Sequence, residues 1–156
     1  MKKIILVTSL VFLTMKVFSQ SVTLNELQHL LSAADQDKFL SGKLFKILQK
    51  QSTKLSKPPL VYYIKNDHNA NSEMITIGLG FTNKNGIFVP DICYSTKDTS
   101  YINTFIKQIY HSNFQLTNKK IDAKKYSFRF KKDNLHIMVY KKKDGSESQV
   151  YLLQSF

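Results

Sequence analysis

The chain has 156 residues, and its formal net charge at pH 7 is +12. This length suits a single domain with a core of its own. Since Cys93 is the only cysteine, an internal disulfide is excluded and the core alone must stabilise the fold. The positive charge favours anionic partners. Arg129 is the only arginine, however, and lysine lacks the planar fork of donors with which arginine binds phosphate or carboxylate.

Residues 1–19 have the pattern of a cleaved signal peptide. Lys2 and Lys3 precede an apolar run over 4–15, and Val17-Phe18-Ser19 leads to a predicted cut before Gln20. The run is shorter than the roughly 20 apolar residues that span a bilayer. Removing this segment lowers the net charge from +12 to +9. We expect an exported protein, periplasmic or extracellular, without a transmembrane span; an uncleaved anchor or a buried first strand is the alternative.

The first half predicts two helices followed by three strands. Thr23-Leu24-Asn25-Glu26 is a capping box and starts the first helix. Apolar spacing then predicts a second helix over 35–50. Pro58-Pro59 ends any helix, and strands are expected over 60–65, 74–81 and 87–94. In the middle strand, alternation predicts that four side chains point the same way: Ile75, Ile77, Leu79 and Phe81.

The second half predicts one helix and three further strands. The helix covers 100–112, and a polar, lysine-rich connection is expected over 118–125. The strands are then expected over 126–131, 135–141 and 149–154.

The two halves have a similar order, so we predict a tandem arrangement of a helix unit with three antiparallel strands, over 23–94 and 100–155. The mature part, 20–156, is then a single α+β domain with a mostly antiparallel sheet and helices on one face. At the level of fold alone, this layout resembles the repeat modules of small secreted inhibitors such as β-lactamase inhibitory protein. No motif carries that function over.

A sheet with helices on one face leaves the other face open to solvent or to a partner. If the aromatic residues of 126–130 point inward, alternation places a mixed set of cationic, sulfur and aromatic side chains outside. Such a mixture is typical of recognition surfaces, although side chains also cover one another across strands. The predicted binding residues of this sheet face are Arg129, Lys131, His136, Met138 and Tyr140.

The second half also has a dense group of lysines around strand ends and turns. They could bind an anion, but lysine at strand edges also deters aggregation. Alternation places the aromatic residues of 126–130 on the face opposite to Arg129, which disfavours base stacking and nucleic acid. The predicted anion-binding residues are Lys119, Lys120, Lys124, Lys125, Lys132, Lys141, Lys142 and Lys143.

Motifs for catalysis or metal binding are missing from the sequence. The four histidines are scattered, and neither HExxH, CxxC nor GxSxG occurs. We therefore assign no catalytic residue, no metal ligand and no cofactor.

The leading expectation is a small exported binding module that holds a protein or an anionic envelope component. One alternative is a small exported enzyme whose site is assembled from distant residues. The other is a binder of nucleic acid or another polyanion through the second-half lysines. The oligomeric state is left open.

Overall fold

The computed structural model describes residues 22–52, 58–66, 72–82 and 88–154. The predicted signal peptide lies outside these residues. The helices are α1 (Leu24–Ser32), α2 (Gln36–Gly42) and α3 (Thr99–His111). The strands are β1 (Lys46–Gln51), β2 (Leu60–Asn66), β3 (Ser72–Thr82), β4 (Phe88–Thr96), β5 (Gln115–Ile121), β6 (Lys125–Lys132), β7 (Leu135–Lys142) and β8 (Ser148–Gln154).

All eight strands form one sheet in the order β1-β2-β3-β4-β8-β7-β6-β5. Every neighbouring pair is antiparallel. Each half is a four-stranded meander, and the last strands of the two halves, β4 and β8, join them. The α+β class is thereby confirmed, whereas the prediction of six strands was wrong because β1 and β5 were not recognised.

The three helices lie on the same face of the sheet, which we call the inner face. It carries the buried side chains of the central strands, and Phe105 of α3 packs there with its ring centroid 4.9 Å from that of Tyr94. On α2, Asp37 accepts a hydrogen bond from the hydroxyl of Tyr63 on β2. The sheet residues of this core include Val61, Tyr63, Ile75, Ile77, Ile92, Tyr94, Phe130, Ile137, Val139, Val150 and Leu152.

The start of α1 has the capping box expected from the sequence. The Thr23 hydroxyl accepts a hydrogen bond from the Glu26 N–H at 3.3 Å, and the Glu26 carboxylate accepts one from the Thr23 N–H at 2.8 Å. These two bonds satisfy backbone donors that the first helical turn leaves unpaired.

The predicted helix over 35–50 was wrong in its second half. α2 ends at Gly42, and Leu44 takes a left-handed conformation with φ 66°. The Phe45 N–H then donates to the Leu40 carbonyl at 3.0 Å, and both side chains are buried. This is the hydrogen-bond pattern that ends helices. The following strand, β1, is an exposed edge strand whose apolar residues resemble a helical stripe in the sequence.

α3 ends in the same manner, and β5 occupies the first half of the predicted polar connection over 118–125, so that only 122–124 form a turn. Asn113 has φ 60°, the Phe114 N–H donates to the Ile109 carbonyl at 3.3 Å, and Phe114 is buried. Every residue of β5 is exposed. An edge strand in water needs no alternation of apolar and polar residues, which is why its sequence reads as a polar connection.

The alternation predicted in β3 is interrupted at Gly78. Ile77 pairs with Ile92 but Leu79 pairs with Asp91, so a β-bulge shifts the register there. Gly78 has φ +92°, and a Cβ atom at this position would lie 2.2 Å from the Pro59 carbonyl oxygen. The close approach of β2 thus requires glycine. The prediction that Leu79 continues the side of Ile77 was wrong.

The buried carboxyl group of Asp91 on β4 should make the stability of the fold depend on pH. Burial raises the pKa of its carboxyl, which a hydrogen bond from the Gln154 backbone offsets only in part, and Oδ1 has no partner among the described residues. A raised folded-state pKa means that stability is lost as pH rises from below 3.8 through the folded value.

We therefore expect Asp91→Asn to gain stability relative to the parent as pH rises from 3 to 7, measured by urea unfolding at each pH. Stability curves for parent and variant that run parallel over this range would contradict the assignment.

Candidate functional site

The face opposite the helices, which we call the outer face, carries all five residues of the predicted sheet-face site. Arg129 pairs with Met138 across β6 and β7, Lys131 pairs with His136, and Tyr140 follows Met138 on the same side. Arg129 and Lys131 are exposed, and the other three are half-buried. The register thus brings the five together, and their part in binding stays a prediction.

The outer face is not equally open across the sheet. At the centre of β3 and on β4 several of its side chains are buried, among them Thr76, Cys93 and Ser95. Burial raises the pKa of the Cys93 thiol to about 11, so thiolate is scarce at neutral pH and the residue is a poor nucleophile. One open part of this face lies on β5, β6 and β7, so the face is less open than the sequence suggested.

A concavity of about 350 Å³ occupies this open part. Three cationic side chains line it, Lys120 from β5 and Lys125 and Arg129 from β6. Neutral hydrogen-bonding groups lie between them, supplied by Asn118 and Ser127. The set combines charge with donors that can orient a ligand.

The aromatic wall of the concavity is Tyr140. The Lys125 ammonium lies 4.8 Å from the centroid of its ring, a cation–π contact. The Tyr140 hydroxyl donates to the Met138 sulfur at 3.6 Å, and its ring meets that of Tyr151 edge to face at 5.8 Å. These contacts hold the Tyr140 ring in place, and the ring in turn positions the Lys125 ammonium beside the concavity.

Asp122 is the one acid among the residues that line the concavity. Its carboxylate accepts hydrogen bonds from the backbone N–H groups of Lys124 and Lys125, each at 2.8 Å. These bonds, together with the nearby lysines, lower the pKa of Asp122. The carboxylate is thus engaged in shaping the β5–β6 turn, and the cations around it outnumber it.

The structure separates the predicted lysines into distinct places. Lys132 and Lys141 reach the helical layer: their ammonium groups donate to the Ser112 carbonyl at 3.0 Å and to Asn103 Oδ1 at 2.8 Å. Lys119 lies 6.0 Å from the ring of Phe128 on the inner side. The others lie in the turns after β5 and β7 or in the strand ends beside them: Lys120, Lys124, Lys125, Lys142 and Lys143.

Alternation separates Arg129 from the aromatic side chains of 126–130, as expected, but lysines contact two of these rings. Phe128 pairs directly with Lys119, and the Lys143 ammonium lies 4.9 Å from the ring of Tyr126. Each of these lysines covers the face of a half-buried ring. The contacts take up the same ring faces on which a base would stack, so they add no support for nucleic-acid binding.

A second cavity, of about 420 Å³, lies between α1, α2 and the β1–β3 end of the sheet. Its polar groups already have partners. Asp35 accepts from the Lys38 N–H and caps α2, while Asp37 binds the Tyr63 hydroxyl and faces Lys50 at 3.6 Å. Burial, together with the neighbouring Asp37 carboxylate, raises the pKa of Tyr63. Among the described residues that line the cavity, these polar side chains are thus engaged in holding the fold.

Among the described residues, no three His, Cys, Asp or Glu side chains converge as metal ligands do. No helix among the same residues is both long and apolar enough to cross a membrane.

Several residues of the site were not foreseen. Asn118 and Asp122 were missed because β5 was taken for a connection, whereas Ser127 lies in a predicted strand on the side of Arg129 and was not singled out. Tyr151, which braces Tyr140, was missed although alternation in β8 places it opposite the buried Val150 and Leu152. That alternation was the one signal in the sequence that could have found it.

No family model, no curated protein and no solved structure matches the chain significantly. The resemblance to small secreted inhibitors thus stays a prediction, and the function must be argued from the site itself.

Proposed function

We propose that the protein is a binding module that holds an anionic ligand in the concavity of its outer face. One observation carries this proposal: the only arginine of the chain and two lysines line a single concavity on the open part of the sheet. Arginine presents a planar fork of donors that suits phosphate and carboxylate. Lys120 and Lys125 add positive charge on either side, so a ligand with more than one negative oxygen fits best.

The neutral groups give the concavity some selectivity. Asn118 and Ser127 can donate or accept hydrogen bonds, and Tyr140 offers an apolar ring beside them. A bare ion would leave these groups to water, whereas an organic phosphate or carboxylate would engage both sets. The ligand class we favour is therefore a phosphorylated or carboxylated component of the cell envelope, which also agrees with the expected export.

Export and internal repetition complete the proposal. Residues 1–19 serve as a signal peptide that is removed, so that the domain works outside the cytoplasm. The two halves arose by duplication, which would account for two meanders that each follow a helix ending in a left-handed residue and a buried phenylalanine. The binding of a protein partner to the same face, catalysis, and general polyanion binding are the remaining alternatives.

Arg129→Gln tests the concavity. Loss of a charged hydrogen-bonding group costs about 1.5–3 kcal/mol, so we expect inorganic pyrophosphate to bind at least about tenfold more weakly. The measurement is isothermal titration calorimetry at low salt.

The matched control is Lys132→Gln, which removes one positive charge from the opposite end of β6 and should change the affinity less than about twofold. Equal losses in the two variants would show that net charge, and not the concavity, binds the anion.

A further inference from the structure

The turns after β5 and β7 form one surface at the same end of the sheet, which we call the hairpin end. It consists of residues 119–125 and 141–147. The Lys143 N–H donates to the Lys124 carbonyl at 3.0 Å, which holds the two turns side by side. The ends of β6 and β7 pair there as well, Lys125 with Lys142. Two segments distant in sequence thus present one continuous surface.

The hairpin end is strongly cationic. Its two segments contain seven lysines and three acids. Two of the acids are engaged locally: Asp122 binds backbone N–H groups, and Asp144 accepts from the Ser146 N–H at 2.9 Å. The ion pairs among the described residues join Lys43 with Glu26 and Lys50 with Asp37, so none neutralises these lysines.

The hairpin end also carries an exposed aliphatic side chain. Ile121, the last residue of β5, is 55% exposed and stands next to the turn that carries Lys124. Nucleic acid and polysaccharide offer no apolar layer in which an exposed isoleucine could be buried. The boundary between the headgroups and acyl chains of a bilayer accepts both the isoleucine and the lysines around it.

We propose that the hairpin end docks on an anionic lipid surface, with Ile121 entering the headgroup region and the turn lysines contacting phosphates. Each lysine near such a surface strengthens binding about fivefold. The inference rests on the proposed function, because Lys120 and Lys125 belong to both surfaces and one phospholipid headgroup would occupy the concavity.

The absence of tryptophan from the chain allows a direct test. Ile121→Trp in the full chain places one fluorophore at the hairpin end. Leu116→Trp is the matched control, since Leu116 lies at the other end of the same strand and is 40% exposed. We expect a blue shift of emission for the position 121 variant with vesicles that contain phosphatidylglycerol, no shift with phosphatidylcholine vesicles, and no shift for the position 116 variant.

An unchanged emission at position 121 overturns the inference. Equal shifts at both positions do the same, since attachment through another part of the chain favours neither. Binding of duplex DNA without a vesicle response also contradicts it. If pyrophosphate still binds in an Arg129-dependent manner, the proposed function stands while the lipid surface fails. If pyrophosphate does not bind either, both proposals fail.

Discussion

Replacing Phe105 by alanine is expected to lower the free energy of unfolding by about 3–5 kcal/mol. The side chain is fully buried, and its ring packs on Tyr94 at the centre of the sheet. Its loss removes apolar contact and leaves a cavity between α3 and β4, which the neighbouring strands cannot close without giving up their own pairing.

Guanidinium chloride unfolding measures this loss, and Lys107→Ala on the exposed side of α3 is the matched control. The control should change stability by less than about 0.5 kcal/mol. A Phe105→Ala variant with the stability of the control would mean that α3 does not pack on the inner face.

Gly78→Ala is expected to lower the free energy of unfolding by about 2–4 kcal/mol, through a steric clash and an unfavourable backbone conformation. The new Cβ atom would lie 2.2 Å from the Pro59 carbonyl oxygen, and the residue has φ +92°. Backbone cannot move aside as the end of a flexible side chain can, so β2 would have to shift relative to β3.

The variant Gly145→Ala distinguishes the steric clash from the unfavourable backbone conformation. Gly145 also has positive φ, +72°, but its Cβ atom would meet nothing within 4 Å. It should therefore cost only the conformational part, about 1 kcal/mol. Equal losses at the two positions, measured by the same unfolding experiment, would contradict the close approach of Pro59 to the bulge.

The sequence predicts those parts of the fold in which one face is buried. β6 and β7 alternate because Phe130, Ile137 and Val139 enter the core, so their facing could be deduced without knowing their partners. The capping box of α1 is likewise a local signal, because it depends on two residues three positions apart.

The edge strands and the bulge could not be predicted in the same way. β1 and β5 are exposed throughout, so burial imposes no pattern on them. The turn at Leu44 depends on where Phe45 enters the core, which is a tertiary effect. The register shift at Gly78 depends on the close approach of Pro59, which directly precedes β2 and is distant from Gly78 in the sequence.

The candidate site shows the same division. Arg129, Met138 and Tyr140 could be placed on one face by alternation within their own strands. That Lys120 lies beside them depends on the pairing of β5 with β6, with a register shift between Leu116 and Asn118. The concavity is therefore a product of strand pairing and was not visible in the sequence.

The central claim is that the concavity on β5, β6 and β7 binds an anionic ligand. Amide NMR shifts measured during a titration of the labelled protein with pyrophosphate test it most directly. The account predicts that the shifts concentrate at Asn118, Lys120, Lys125, Ser127 and Arg129 and vanish in Arg129→Gln. Shifts spread over lysines throughout the chain, or centred on the cavity beside α2, would contradict it.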